Sequence, residues 1–106
     1  MYTRLTRLIG LPPERIQATL QHFEEQDLPA VEQMPGYRGL TVGVDEQGGK
    51  AFVITLWETR EEMLASEKRA AEARDTAVST LDPDRPPIVD HFEVRLQKEA
   101  PAATQQ

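Results

Sequence analysis

Two strand-like runs joined by a glycine turn sit in the middle of this chain, and they constrain its fold more than any other feature. Tyr37 to Val44 reads YRGLTVGV and Ala51 to Trp57 reads AFVITLW, with DEQGGK at 45–50 between them. β-Branched and aromatic residues dominate both runs, and glycine supplies the backbone freedom that a tight connection needs. Such a pair closes as an antiparallel hairpin. A lone hairpin is marginal in water, so it requires further strands and a cover.

The flanking segments supply both. Upstream, Tyr2 to Ile9 has apolar residues with polar ones between them and predicts a strand, ended by Gly10. Pro12 and Pro13 open a helix where a missing N–H is harmless, and Glu14 suits its dipole. Ile16, Leu20 and Phe23 follow at helical spacing. Pro29 predicts a break near Leu28 with a short continuation through Val31. Met34-Pro35-Gly36 ends it. Downstream, Thr59 with Glu62 makes a capping box, and an alanine-rich helix runs to about Leu81. Asp82 to Pro87 is a loop, and Ile88 to Leu96 is a fourth strand.

The order β-α-β-β-α-β predicts an α+β, ferredoxin-like fold, an antiparallel sheet with two helices on one face. At 106 residues and 12.0 kDa, a second core would be too small to hold itself together, so residues 1–97 are expected to form a single domain. Residues 98–106, KEAPAATQQ, lack large apolar side chains and are expected to be a disordered tail.

Charge and composition restrict partners. A net charge of −6, with no cluster of Lys and Arg, counts against nucleic acid and against an anionic membrane. The absence of cysteine excludes a disulfide framework and a thiol nucleophile. His22 and His91 have no metal-ligand spacing, so neither a metal nor another cofactor is expected. The opening MYTRLTRLI reads as neither signal peptide nor membrane span, which makes the cytoplasm the expected compartment.

Both faces of the third strand are apolar. The expectation is that Phe52, Ile54 and Leu56 face the helices, together with Leu40, Val42, Val44 and Phe92, leaving the Trp57 face uncovered. The simplest cover for that face is a second copy, giving a homodimer whose two sheets enclose a barrel-like space. Tyr37, Thr41, Val53, Thr55 and Trp57 would line it and hold an apolar or aromatic small molecule. His91, counted onto the same side, is the candidate catalytic base: a neutral imidazole there could take a proton from a phenolic substrate. Plainer readings stand beside these. Trp57 could fill a dimer core, His91 could be a surface histidine bonded to Glu93 or Asp90, and Tyr37 could be a rim aromatic.

MPGYRGL at 34–40, the GGK turn and ITLWETREEM at 54–63 resemble the dimeric α–β barrel superfamily, in its antibiotic-biosynthesis-monooxygenase-like branch. The likeness spans about residues 1–96. It implies the ferredoxin-like fold, a dimer, and a pocket walled by the tryptophan that precedes the acidic residue and cap, here Trp57-Glu58-Thr59. In the cofactor-free, quinone-forming members an Asn lies four residues before that tryptophan and a Tyr six after; here those positions are Val53 and Met63. In the haem-degrading members a His lies about ten after; here it is Glu67, which disfavours haem chemistry. Two readings follow: a cofactor-independent monooxygenase-like enzyme acting on an aromatic or polyketide-type molecule, or a non-catalytic binding or stress-related protein using the same cavity.

Overall fold

The computed structural model describes residues 1–100. Its strands are β1 (Tyr2–Ile9), β2 (Tyr37–Asp45), β3 (Lys50–Trp57) and β4 (Ile88–Glu93), and its helices are α1 (Pro13–His22), α2 (Leu28–Glu32), α3 (Arg60–Ala65) and α4 (Glu67–Leu81). The strands form one antiparallel sheet in the order β2-β3-β1-β4. This is the ferredoxin-like arrangement expected from the element order. The tail expected at 98–106 lies largely outside the described residues, and residues 94–100 carry no regular secondary structure.

Local chemistry explains the boundaries. Thr59 caps α3, its hydroxyl accepting from the Glu62 amide at 3.1 Å and donating to the Glu62 carboxylate at 3.0 Å. The break expected at Pro29 takes the form of a π-helical turn, Phe23–Asp27, between α1 and α2. Proline cannot donate to the carbonyl a turn behind it. The ladder widens instead, and the Leu28 amide donates to the Phe23 carbonyl. The long helix expected from Thr59 to Leu81 is divided at Ser66, whose hydroxyl donates to the Met63 carbonyl at 2.6 Å. Such a bond from a serine to the preceding turn bends a helix.

The sheet faces the helices with the opposite side from the one expected. Directly opposed residues in antiparallel strands share a face. Trp57 pairs with Tyr2, Thr55 with Arg4, Val53 with Thr6 and Ala51 with Leu8. Among these Trp57, Thr55, Arg4, Thr6 and Leu8 are buried, and the helices lie over them. Phe52, Ile54 and Leu56 share the other face with Leu5, Ile88 and Phe92. There Phe52, Ile88 and Phe92 are exposed.

The cause is the hairpin register. Asp45 pairs with Lys50 and Val44 with Ala51, which places Leu40, Val42 and Val44 on the Trp57 side. Those three do face the helices, as expected, but they bring Trp57 with them. A bulge between Tyr37 and Gly39 then reverses the alternation at the start of β2. Gly43 falls opposite Phe52, and the Phe52 ring lies where a Gly43 side chain would stand.

Two small cores hold the helices down. Leu8, Leu11, Ile16 and Leu81 form one, and Val31, Trp57 and Met63 form the other, with Tyr2, Met34 and Tyr37 packed around it.

Candidate functional site

Between the sheet and the helices lies a cavity of about 90 Å³ whose wall includes Trp57, Thr55, Val53, Leu40, Phe23 and Met34. Its origin is legible in α4. Ala70, Ala73 and Ala77 line the helix side of the cavity, spaced so that they lie on one face of the helix. Larger side chains there would fill the gap; methyl groups leave it. The π-helical turn belongs to the same wall, since its first residue, Phe23, is one of the lining side chains.

Trp57 serves the core and the cavity at once. It is 1% exposed, and its indole Nε1 donates to the Thr55 hydroxyl at 2.9 Å. Tyr37 meets it edge-on, with ring centroids 6.0 Å apart and planes at 75°. Tyr37 does not line the cavity; it buttresses the tryptophan from outside. Burial, then the negative charge of Glu32, raises the Tyr37 hydroxyl above its ordinary pKa, so it stays protonated.

The other expected site residues divide. Val53 and Thr55 line the cavity beside Trp57. Thr41 does not: it pairs with Ile54 on the opposite, open face and is exposed. The bulge that separates it from Tyr37 is the physical reason, since it breaks the count of two that linked them. His91 shares the Trp57 side of the sheet, paired across from Arg4, but that side is helix-covered and His91 stands at its edge. Its side chain is 39% exposed, its Nε2 is 3.9 Å from a Glu67 oxygen, and it is not part of the cavity wall.

The polar side of the cavity is built from residues that the sequence reading passed over. Arg4 points inward from the central strand β1 and is 3% exposed. Its Nη2 donates to the Met63 carbonyl at 2.7 Å and to the Ser66 hydroxyl at 3.0 Å. These bonds tie the sheet to the break between α3 and α4. Its Nε is 3.0 Å from Glu67 Oε1, but the N–H is not aligned with that oxygen, and neither atom has a hydrogen-bond partner. Arg74, also on the cavity wall, donates from Nη2 to Glu67 Oε2, while its Nη1 is buried without a partner.

Glu67 thus faces two guanidinium groups. Its partial burial alone would raise its pKa. The Arg74 hydrogen bond and the charges of Arg4, Arg74 and His91 outweigh that and hold the carboxyl below its ordinary value. Desolvation lowers the pKa of Arg4, opposed by Glu67, yet an arginine stays protonated at any physiological pH. The expected family position for a haem-ligating histidine is therefore occupied by a carboxylate committed to two arginines. Among the described residues no group of three His, Cys, Asp or Glu could hold a metal ion.

The family model described as antibiotic biosynthesis monooxygenase matches residues 1–74. The chain belongs to this family. Two uncharacterized proteins of Mycobacterium tuberculosis are similar to it in sequence. One is 34% identical over 73% of this chain and 32% of its own length, the other 30% identical over 89% of this chain and 41% of its own. The chain thus spans 32% and 41% of the length of these two relatives.

Solved structures share the fold at low identity. A monooxygenase of Streptomyces coelicolor, in complex with nanaomycin D, superposes with a TM-score of 0.77 at 14% identity, covering 94% of this chain and 92% of that one. A variant of SnoaB, a cofactor-independent oxygenase of Streptomyces nogalater, does so with 0.65 at 10% identity, covering 91% and 94%. Within the monooxygenase family pattern, this chain departs where Val53 and Met63 replace polar residues. Val53 contributes only methyl groups to the cavity, and Met63 is 2% exposed in the core behind Trp57.

Proposed function

We propose that the protein is a cofactor-independent, monooxygenase-like domain whose helix-covered cavity holds a compact aromatic or polyketide-type molecule against Trp57. The observation that carries the reading is the cavity itself: an apolar slot with a rigidly held indole on one side and a flat row of alanines on the other. Membership of the monooxygenase family supports oxygen chemistry there. In that chemistry an activated CH₂ of the substrate loses two hydrogens and becomes a carbonyl. One atom of O₂ ends in the product and the other leaves as water.

The buried guanidinium groups of Arg4 and Arg74 would stabilise the substrate anion that must form before oxygen can react. His91, at the edge of the same face, is the candidate that exchanges the proton with solvent. It would act through an intervening water, since it is not on the cavity wall. The cavity's volume of about 90 Å³ is well below the roughly 300 Å³ of a drug-sized site. The flexible Met34 side chain and the Phe23 ring are the parts of the wall that would yield to a ligand.

A second reading, binding without turnover, is favoured by Val53 and Met63, which give no polar contact to a reacting group. The open sheet face supports a homodimer in either case. The cytoplasm is the compartment proposed; among the described residues no helix is long and apolar enough to cross a membrane.

Trp57 is the only tryptophan, so its fluorescence reports occupancy directly. The test pairs that signal with oxygen consumption across a panel of hydroquinones and anthrones. Oxygen uptake with at least one compound, lost in Trp57→Ala, supports the enzyme. A fluorescence change without uptake supports the binding protein. Silence in both measurements across the panel overturns both readings.

A further inference from the structure

The cavity carries a charge that its structural role does not use. Arg4 and Arg74 both stand on its wall, and Glu67 is the one carboxylate among the described residues that contacts them. Two cations against one anion leave one positive charge, and His91 beside Glu67 can only add to it. The neighbouring Arg69 contributes nothing, because Asp27 neutralises it at 2.6 Å. Apart from the hydroxyls of Thr6, Thr55 and Ser66 the rest of the wall is apolar, an environment in which an uncompensated cation is costly.

The structural role explains some of these nitrogens. Arg4 Nη2 holds Met63 and Ser66, and Arg74 Nη2 holds Glu67. It does not explain Arg74 Nη1, which is buried with no acceptor among the described residues, whereas Arg4 Nε is held in the ion pair with Glu67 Oε1 at 3.0 Å. A guanidinium is a planar fork that suits a carboxylate, and a buried N–H without a protein partner is open to an acceptor from outside the chain, a water or a ligand group.

We propose that the occupant of this cavity is an aryl carboxylate, its anionic group meeting Arg4 and Arg74 and its ring lying between Trp57 and the alanines of α4. This deepens the reading that the cavity binds a small aromatic molecule and rests on it. One net positive charge matches one carboxylate. An engineered apolar cavity of about 150 Å³ accepts benzene, and this one is about 90 Å³. The ring is therefore a single one, and Met34 or Phe23 moves to admit it.

The test uses the full chain and Trp57 fluorescence, with benzoate, benzyl alcohol and acetate as probes. Benzoate should bind about tenfold more tightly than benzyl alcohol, which has the same ring and no charge. Acetate should bind more weakly than either, since it lacks the ring. Arg74→Met should abolish the preference for benzoate while leaving benzyl alcohol bound. Glu67→Gln, which removes the competing carboxylate, should tighten benzoate severalfold, and it carries the test if Arg74→Met does not fold. Equal affinity for benzoate and benzyl alcohol, or weaker benzoate binding in Glu67→Gln, overturns the carboxylate while leaving an aromatic cavity. Acetate binding as tightly as benzoate overturns the ring. No response to any of the three probes overturns the proposal together with the cavity reading beneath it.

Discussion

Trp57 holds two roles that are usually separate, and its environment explains how. Thr55 takes its N–H, Tyr37 braces one edge, and Val31 and Met63 pack around it, so its rotamer is set before any ligand arrives. Trp57→Ala should therefore destabilise the fold by about 3–5 kcal/mol, the range for buried aromatic truncations. Because Trp57 lies under the helices, the same substitution should leave self-association of the folded fraction unchanged. Chemical denaturation and light scattering on one sample measure both. An altered association state would return Trp57 to the interface.

Glu67 gives a pH prediction of definite sign. Its folded pKa lies below the ordinary value of 4.5. Its contribution to stability is therefore complete above that value and is lost as pH falls through the lower folded one. The melting temperature should fall on acidification below about pH 4.5, and Glu67→Gln should flatten that limb. Its side chain is 38% exposed, so solvent screening limits the size of the effect but not its direction. An acid limb as steep in Glu67→Gln as in the parent would show that other carboxylates govern it.

At the scale of elements, the connection between β2 and β3 has a backbone requirement at Gly49. Its φ is +64°, its carbonyl accepts from the Leu11 amide at 2.8 Å, and an added Cβ would lie 2.7 Å from the Leu11 carbonyl oxygen. Backbone, unlike a side-chain tip, cannot swing aside. Gly49→Ala should cost more than about 1 kcal/mol from conformation alone. At Gly48 the obstruction is the movable Asp45 carboxylate, so Gly48→Ala should cost about 0.5 kcal/mol. Urea midpoints for the two variants decide this; equal midpoints would refute it.

That same hairpin shows what the sequence could and could not disclose. Strand and helix order followed from residue type and punctuation, because those signals are local: Pro12, Thr59 and the glycine turn each act on their neighbours. Which face of β3 met the helices depended on register, which is not local. The opposed charges of Asp45 and Lys50 were the available clue, since their pairing places Val44 beside Ala51 and so carries Leu40, Val42, Trp57 and Thr55 to one side. The extra residue between Tyr37 and Gly39 has no signature that a count of two can find, which is why Thr41 was grouped with Tyr37. Trp57, Thr55 and Val53 were brought to one cavity by simple alternation within a single strand. Arg4 and Arg74 escaped notice because a charged residue in an alternating strand or on a helix reads as solvated. Only their convergence on Glu67, from β1 and from α4 itself, shows otherwise.

At the scale of the molecule, the open face of the sheet remains. Phe52, Ile54 and Leu56 stand in its centre beside Leu5, flanked by Ile88 and Phe92 on the edge strand. Phe92 is 50% exposed and Phe52 36%. Apolar side chains so concentrated on one side of a sheet mark an association surface. The flat shape of a sheet suits a second copy related by a two-fold axis, since the same patch then meets itself. The net charge of −6 sets two such copies against each other at long range, a repulsion that salt screens. A homodimer burying roughly 1,200–2,000 Å² in total is expected, tightening as ionic strength rises. Phe92→Glu, which places a like-charge pair in a dry interface while leaving the helix-covered core untouched, should give a folded monomer with an unchanged near-ultraviolet signal from Trp57. Sedimentation across a salt series checks both points. A parent protein that stays monomeric at high salt, or a Phe92→Glu variant that stays dimeric, would mean that this face is covered by something other than a second copy.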